Sequence, residues 1–181
     1  HFSSEILERI YDRVGGRMAF LNQVAKTENM LQACEKICAT EKMWFLSRCG
    51  ILGEGMDDDV MDQQKYASAA MVLAKALVAL EKNMKTTYDP AQGHMLPEIP
   101  LYKAREIMTR ADFIQAYDSE NLFTIDSNAM VRADSVPMMN AFREICAEEG
   151  FDEYLQATFD RISAIESLNR TRELTLKDFV D

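Results

Sequence analysis

Apolar residues recur at spacings of three and four through most of the chain and alternate with polar residues in one short stretch, which predicts a mainly α protein carrying a small β-hairpin. Ile6, Leu7, Ile10, Tyr11 and Val14 form one face of a first helix, capped by Ser3 or Ser4 and stopped by Gly15-Gly16. RMAFLNQVAK opens a second helix directly after the glycines, with Met18, Leu21, Val24 and Ala25 on its inner side. Thr27 is the expected cap of a third, which carries Met30, Leu31, Cys34, Ile37, Cys38, Trp44, Phe45 and Leu46 until Gly50, Gly53 and Gly55 break the period. Asp57, Asp58 and Asp59 then open the longest periodic segment, from Val60 to about Lys85. Its many alanines favour helix and allow another helix to approach closely, so it is expected to be the central helix.

Residues 97–133 predict a different arrangement. Ile99, Tyr102, Ala104, Ile107 and Met108 fit one short helix, and Phe113, Ile114 and Tyr117 fit a second after Arg110. LFTID and AMVRA follow as alternating runs that meet at Ser127-Asn128, with Leu122, Thr124 and Asp126 on one side and Phe123 and Ile125 on the other. Asn128 is the residue expected to take the positive φ of the turn. Two short helices feeding a hairpin outline a winged helix. Ser135 or Asp134 should cap the next helix, with Pro137 in its first turn and Gly150 at its end, and FDEYLQATFDRISAIESLNR gives a last one. Leu174, Leu176 and Phe179 alternate briefly, as a short strand or an interaction tail. TTYDPAQGHMLPEIP holds three of the four prolines and is the expected boundary, dividing a helical bundle at 1–88 from a winged-helix-like unit with C-terminal helices at 89–181.

Charge alters the expectation that a winged helix raises. The chain has 30 acidic and 20 basic residues among 181, a net charge of −10, and such a chain repels a polyanion unless its cations cluster. The helix that would enter a DNA groove, ADFIQAYDSEN, offers Asp112, Asp118 and Glu120 beside Arg110; Lys103, Arg105, Arg110 and Arg132 could form only a small basic patch. Nucleic acid is therefore a disfavoured partner. Cys34, Cys38, Cys49 and Cys146 make no CxxC, and neither histidine stands at zinc-ligand spacing from them. Buried free thiols in a reducing, intracellular compartment are the simplest reading. No run reaches the length of a membrane span. The abrupt entry into a helix at FSSEILERIYDRVGG suggests a piece of a longer polypeptide.

The sharpest local feature is Gly15-Gly16-Arg17. Paired glycines let the second helix start at a tight angle, and a helix N-terminus with an arginine can receive a phosphate; a plain helix–helix turn is the alternative. YDRVGGRMAFLNQVAK resembles the lid-helix segment of AAA+ and STAND-type P-loop ATPases of the archaeal-type group, whose lid is often followed by a winged helix. MDDDVMDQQKYASAAMVLAKAL and IPLYKAREIMTRADFIQAYD are similar to C-terminal regions of fungal members. The resemblance implies that Gly15, Gly16 and Arg17 face nucleotide, with Arg17 closest to it, once an ATPase core supplies ATP and magnesium.

The residues themselves give no catalytic site. GxxxxGK[ST] is absent, as is an apolar strand ending in paired acids for magnesium, so this segment alone is not expected to hydrolyse ATP or to be an enzyme. Asp57, Asp58, Asp59 and Asp62 lack the alternating oxygens and distal glutamate of a calcium loop and read as helix-capping acids, so no metal is expected. The favoured expectation is a non-catalytic regulatory and protein-interaction module of a larger P-loop ATPase, contacting the upstream core, a protein partner or a second copy through the parent protein. A winged-helix nucleic-acid binder and a stand-alone helical adaptor are the alternatives.

Overall fold

The structure is a computed structural model that describes residues 3–51, 53, 60–108 and 110–178, with side chains described up to 172. Asp57, Asp58 and Asp59, the expected helix-capping acids, lie outside the described residues.

Three helices lead into the core. Helix α1 (Ser4–Val14) is capped by Ser3, whose side chain accepts from the Ile6 amide, and ends at Gly15. Helix α2 (Met18–Ala25) buries only Val24, while Met18 is mostly exposed, because so short a helix packed on α3 turns a single residue inward. Helix α3 (Met30–Cys49) is capped by Asn29, not Thr27: the Asn29 side chain accepts from the Gln32 amide at 3.1 Å, and the Thr27 hydroxyl donates to the Val24 carbonyl at 2.8 Å to finish α2. Helix α4 (Met61–Lys82) is central, as its alanines predict. Ala67, Ala69, Ala70 and Ala74 are buried beside Leu73 and Leu77, and α3, α7 and α8 all pack against it. Each of those leucines contributes about 1.5–3 kcal/mol by leaving water.

The segment expected to be loop holds three short strands. β1 (Tyr88–Asp89) pairs with β2 (Gly93–His94) in a two-strand hairpin, and β3 (Ile99–Pro100) joins the wing. Ile99 is therefore a strand residue rather than the first turn of a helix. Helix α5 (Leu101–Ile107), a 3₁₀ turn at Ala111–Phe113 and α6 (Ile114–Ser119) lead to β4 (Phe123–Ile125) and β5 (Met130–Ala133). The antiparallel sheet order is β3-β5-β4, with Ile99 opposite Val131 and Phe123 opposite Ala133. Tyr102 is exposed, so it does not line the helix–helix contact.

Two details of the expected hairpin differ. Leu122 and Phe123 are both fully buried, because Leu122 donates to the Tyr117 carbonyl and belongs to the turn closing α6, after Asn121 at φ 59°. The positive φ of the hairpin falls on Ala129 (58°), not Asn128. The Asp126 carboxylate accepts from the amides of both Asn128 and Met130, and this Asx turn forces residue 129 into the left-handed region.

Helix α7 (Val136–Cys146) is capped by Ser135, with Pro137 in its first turn. It ends before Gly150, which at φ 80° instead precedes α8 (Phe151–Asp178). That 28-residue helix runs through positions 174 and 176, where a short strand or tail was expected. The main core gathers residues from both sides of the expected boundary at 88: Phe45, Leu73 and Leu77 from before it pack with Tyr117, Phe123, Phe142 and Leu155 from after it. A smaller cluster of Ile10, Val14, Val24, Cys34 and Ile37 joins α1 and α2 to α3.

Candidate functional site

The Gly15-Gly16-Arg17 corner sits where α1, α2, α3 and the base of the wing meet. Gly15 donates its amide to the Tyr11 carbonyl at 2.8 Å and adopts φ 71°, ψ −159°, a region essentially reserved for glycine. A Cβ there would stand 2.7 Å from Cγ2 of Val136, the first residue of α7, so the backbone of the turn lies directly on that helix. At Gly16 a Cβ would meet the Tyr11 hydroxyl at 2.8 Å. The glycine pair thus has a packing reason independent of any ligand.

Arg17 leads into α2 and reaches across to the wing. Its Nη2 donates to the Asp134 backbone oxygen at 2.6 Å, its Nη1 to Asp134 Oδ2 at 3.3 Å, and its guanidinium lies 5.4 Å from the Phe20 ring centre. The other Asp134 oxygen accepts from the Thr124 hydroxyl at 3.2 Å. Burial, followed by the nearby Asp134 carboxylate, holds the Glu41 carboxyl above the usual range, and Arg17 partly offsets both. One cation therefore faces two carboxyl groups, and an incoming anion competes with Asp134 for it. The Arg17 side chain remains 48% exposed, so its outer face is open to a partner. Asp134, Thr124 and Glu41 were not marked by the sequence as parts of this site; Asp134 was legible only as a possible helix cap.

Of the cations expected to form a basic patch, Lys103, Arg110 and Arg132 are paired with acids of the same unit, and Arg105 forms no ion pair among the described residues. Arg110 binds Asp112 at 2.7 Å, Arg132 binds Asp126 at 2.9 Å, and Lys103 lies 3.4 Å from Glu106. Asp118 accepts from the Ile125 amide, and Glu120 accepts from Nε and Nη2 of Arg48 and lies below its usual pKa because of that contact. Helix α6, at six residues, is too short to reach along a major groove with more than one turn. Accordingly, a titration with duplex DNA in low salt is expected to show no salt-sensitive binding; an affinity that falls steeply with added salt would contradict this surface.

The four thiols are free. Cys34, Cys38 and Cys49 are buried and Cys146 partly so, all unpaired; burial raises each pKa, that of Cys146 to about 11. Among the described residues no group of three metal-ligating side chains is placed to hold an ion, and no helix is long and apolar enough to cross a membrane.

A helix, a strand, two short helices and a two-stranded ribbon closing on that strand make this a winged-helix protein with added helices at both ends. Residues 47–166 match the family described as the fungal AAA protein C-terminal winged helix domain, and the chain belongs to that family. No curated protein and no solved structure matches it. The matched region begins within α3, leaving Gly15, Gly16 and Arg17 outside it.

Proposed function

We propose that the chain is a non-catalytic regulatory module of a larger AAA ATPase, in which the Gly15-Gly16-Arg17 corner faces nucleotide held with magnesium by the ATPase core. It works in a reducing compartment and also contacts a protein partner or a neighbouring subunit. The observation that carries the reading is the position of Arg17: half exposed, and bound among the described residues to Asp134 at the end of the wing. In this proposal Arg17 exchanges Asp134 for a phosphate oxygen when nucleotide binds, so the nucleotide state reaches the wing through one residue pair. The STAND-like and archaeal-type ancestry belongs to the same proposal.

Two substitutions in the complete ATPase polypeptide test it. Arg17→Ala is expected to weaken nucleotide binding about tenfold, the worth of one charge-assisted hydrogen bond to a charged group. Asp134→Asn removes the competing negative charge while leaving the main-chain contact to Arg17, and is expected to strengthen binding. Nucleotide affinity unchanged in both variants, or shifted the same way in both, removes Arg17 from the nucleotide site and leaves the pair as a structural joint.

A further inference from the structure

A second surface, on the far side of Tyr11, has a chemistry of its own. Ser4, Leu7, Glu8, Tyr11 and Asp12 lie along one face of α1, and Thr87, Tyr88 and His94 from the β1–β2 hairpin stand opposite, enclosing a groove of about 610 Å³. Such a volume falls within the range of small-ligand and side-chain pockets.

The aromatic wall is fixed in place. His94 stacks on Tyr11 at 5.0 Å and 21°, and its Nε2 donates to the Tyr11 carbonyl at 2.6 Å. Tyr88 stands at 85° to Tyr11, ring centres 6.0 Å apart. Glycine is required beside the Tyr11 hydroxyl on two sides, since a Cβ at Gly16 or at Gly93 (φ 83°) would approach within 2.8 and 2.7 Å of it. Tyr88 and Leu7 nevertheless remain half exposed, so the ordered wall is open to a visitor.

The visitor's charge is set by Glu8 and Asp12. They are one helical turn apart and line the groove, and no basic side chain among the described residues pairs with either. Of the neighbouring cations, Arg13 is paired with Glu35 at 2.8 Å and Arg143 with Glu81 at 2.6 Å; Arg9 forms no ion pair among the described residues and shares an adjoining groove with Asp12, Gln32 and Glu35, so Glu8 is the carboxylate that lines the Tyr11 groove alone. Two aromatic rings at right angles attract a cation through their faces, and two unpaired carboxylates attract it through charge. A planar guanidinium satisfies both, since it stacks on a ring and presents paired donors to carboxylates, whereas an ammonium offers only a point charge.

We propose that this groove binds an arginine side chain of a partner polypeptide. It gives the partner-binding part of the proposed function a recognition chemistry, yet it does not involve Arg17. Nucleotide effects of Arg17→Ala and loss of peptide binding here are therefore separately observable.

The test uses a capped peptide with one arginine flanked by glycine and serine, titrated into the ¹⁵N-labelled chain at low salt. Saturating shifts are expected at Leu7, Glu8, Tyr11, Tyr88 and His94, with little response to the same peptide carrying glutamine in place of arginine. Tyr88→Ala is expected to weaken binding about fivefold or more. Glu8→Gln with Asp12→Asn, at two exposed positions that leave the fold intact, is expected to weaken it about tenfold in low salt and to make little difference in high salt, where the charges are screened. Either variant binding like the unaltered chain overturns the proposal. So does tighter binding of a lysine peptide, equal binding of the glutamine peptide, or shifts that map to another face.

Discussion

Phe123→Ala is expected to destabilise the fold by about 3–5 kcal/mol, the usual cost of deleting a buried phenyl ring and leaving a cavity, and to lower the thermal midpoint by roughly 10 °C. Phe123 is fully buried and meets rings from three elements: Phe142 of α7 at 5.1 Å, Tyr117 of α6 at 5.5 Å and Phe45 of α3 at 6.5 Å. Phe45 and Phe142 also meet each other, at 4.9 Å. No smaller side chain can fill a space bounded by three rings. Phe123→Leu keeps most of the volume and should cost only about 1–2 kcal/mol. Because the core joins Phe45 and α4 to the wing, one cooperative transition is expected, with helical and aromatic signals melting together. A biphasic melt in which Phe123→Ala moves only one step would mean that 1–88 and 89–181 are separate folding units. A loss under about 1.5 kcal/mol would mean that the ring cluster is not the joint it is described to be.

Where a local signal had no competitor, the sequence was readable. Gly15 ends α1 because left-handed backbone is a property of a single residue, while the cap, open between Ser3 and Ser4 in the sequence, falls on Ser3. Helix α4 was visible because its alanine-rich pattern runs for 22 residues. Errors came where two residues could supply the same interaction and a distant contact chose between them. Thr27 and Asn29 are both capping residues, and the choice rests on Thr27 being used by α2. Asn128 is a better left-handed residue than Ala129, yet the Asp126 carboxylate binds the amides on either side of 129 and prevails. Strands of two residues, such as β1, β2 and β3, carry too little alternation to register at all.

The candidate site was legible in part. The glycine pair announced a corner, and Arg17 announced a charge there, but Asp134 is 117 residues away and nothing local links the two. Ser135 took the helix cap that either residue could have supplied, which left the Asp134 carboxylate for Arg17 and Thr124. The groove beside Tyr11 was hidden for a similar reason. Tyr88 and His94 fall in the segment that looked like an unstructured loop, and only the β1–β2 pairing brings them against α1.

Gly15→Ala is expected to cost about 3 kcal/mol, from two sources that separate experimentally. The first is backbone: at φ 71°, ψ −159° an L-residue is strained by about 1–3 kcal/mol. The second is packing, because the added methyl would lie 2.7 Å from Val136 Cγ2 and force α1 and α7 apart, at about 1–3 kcal/mol. Gly150 supplies the control. It also has positive φ, 80°, but a Cβ there meets nothing within 4 Å, so Gly150→Ala should cost only about 1 kcal/mol. In urea denaturation, Val136→Ala combined with Gly15→Ala should be more stable than the sum of the single losses predicts, by about 1 kcal/mol, since the shortened side chain accommodates the methyl without relaxing the backbone. Should Gly15→Ala and Gly150→Ala fall within about 0.5 kcal/mol of each other, the close approach of the turn to α7 imposes no constraint. The glycine pair would then require an explanation in what the corner binds rather than in how it packs.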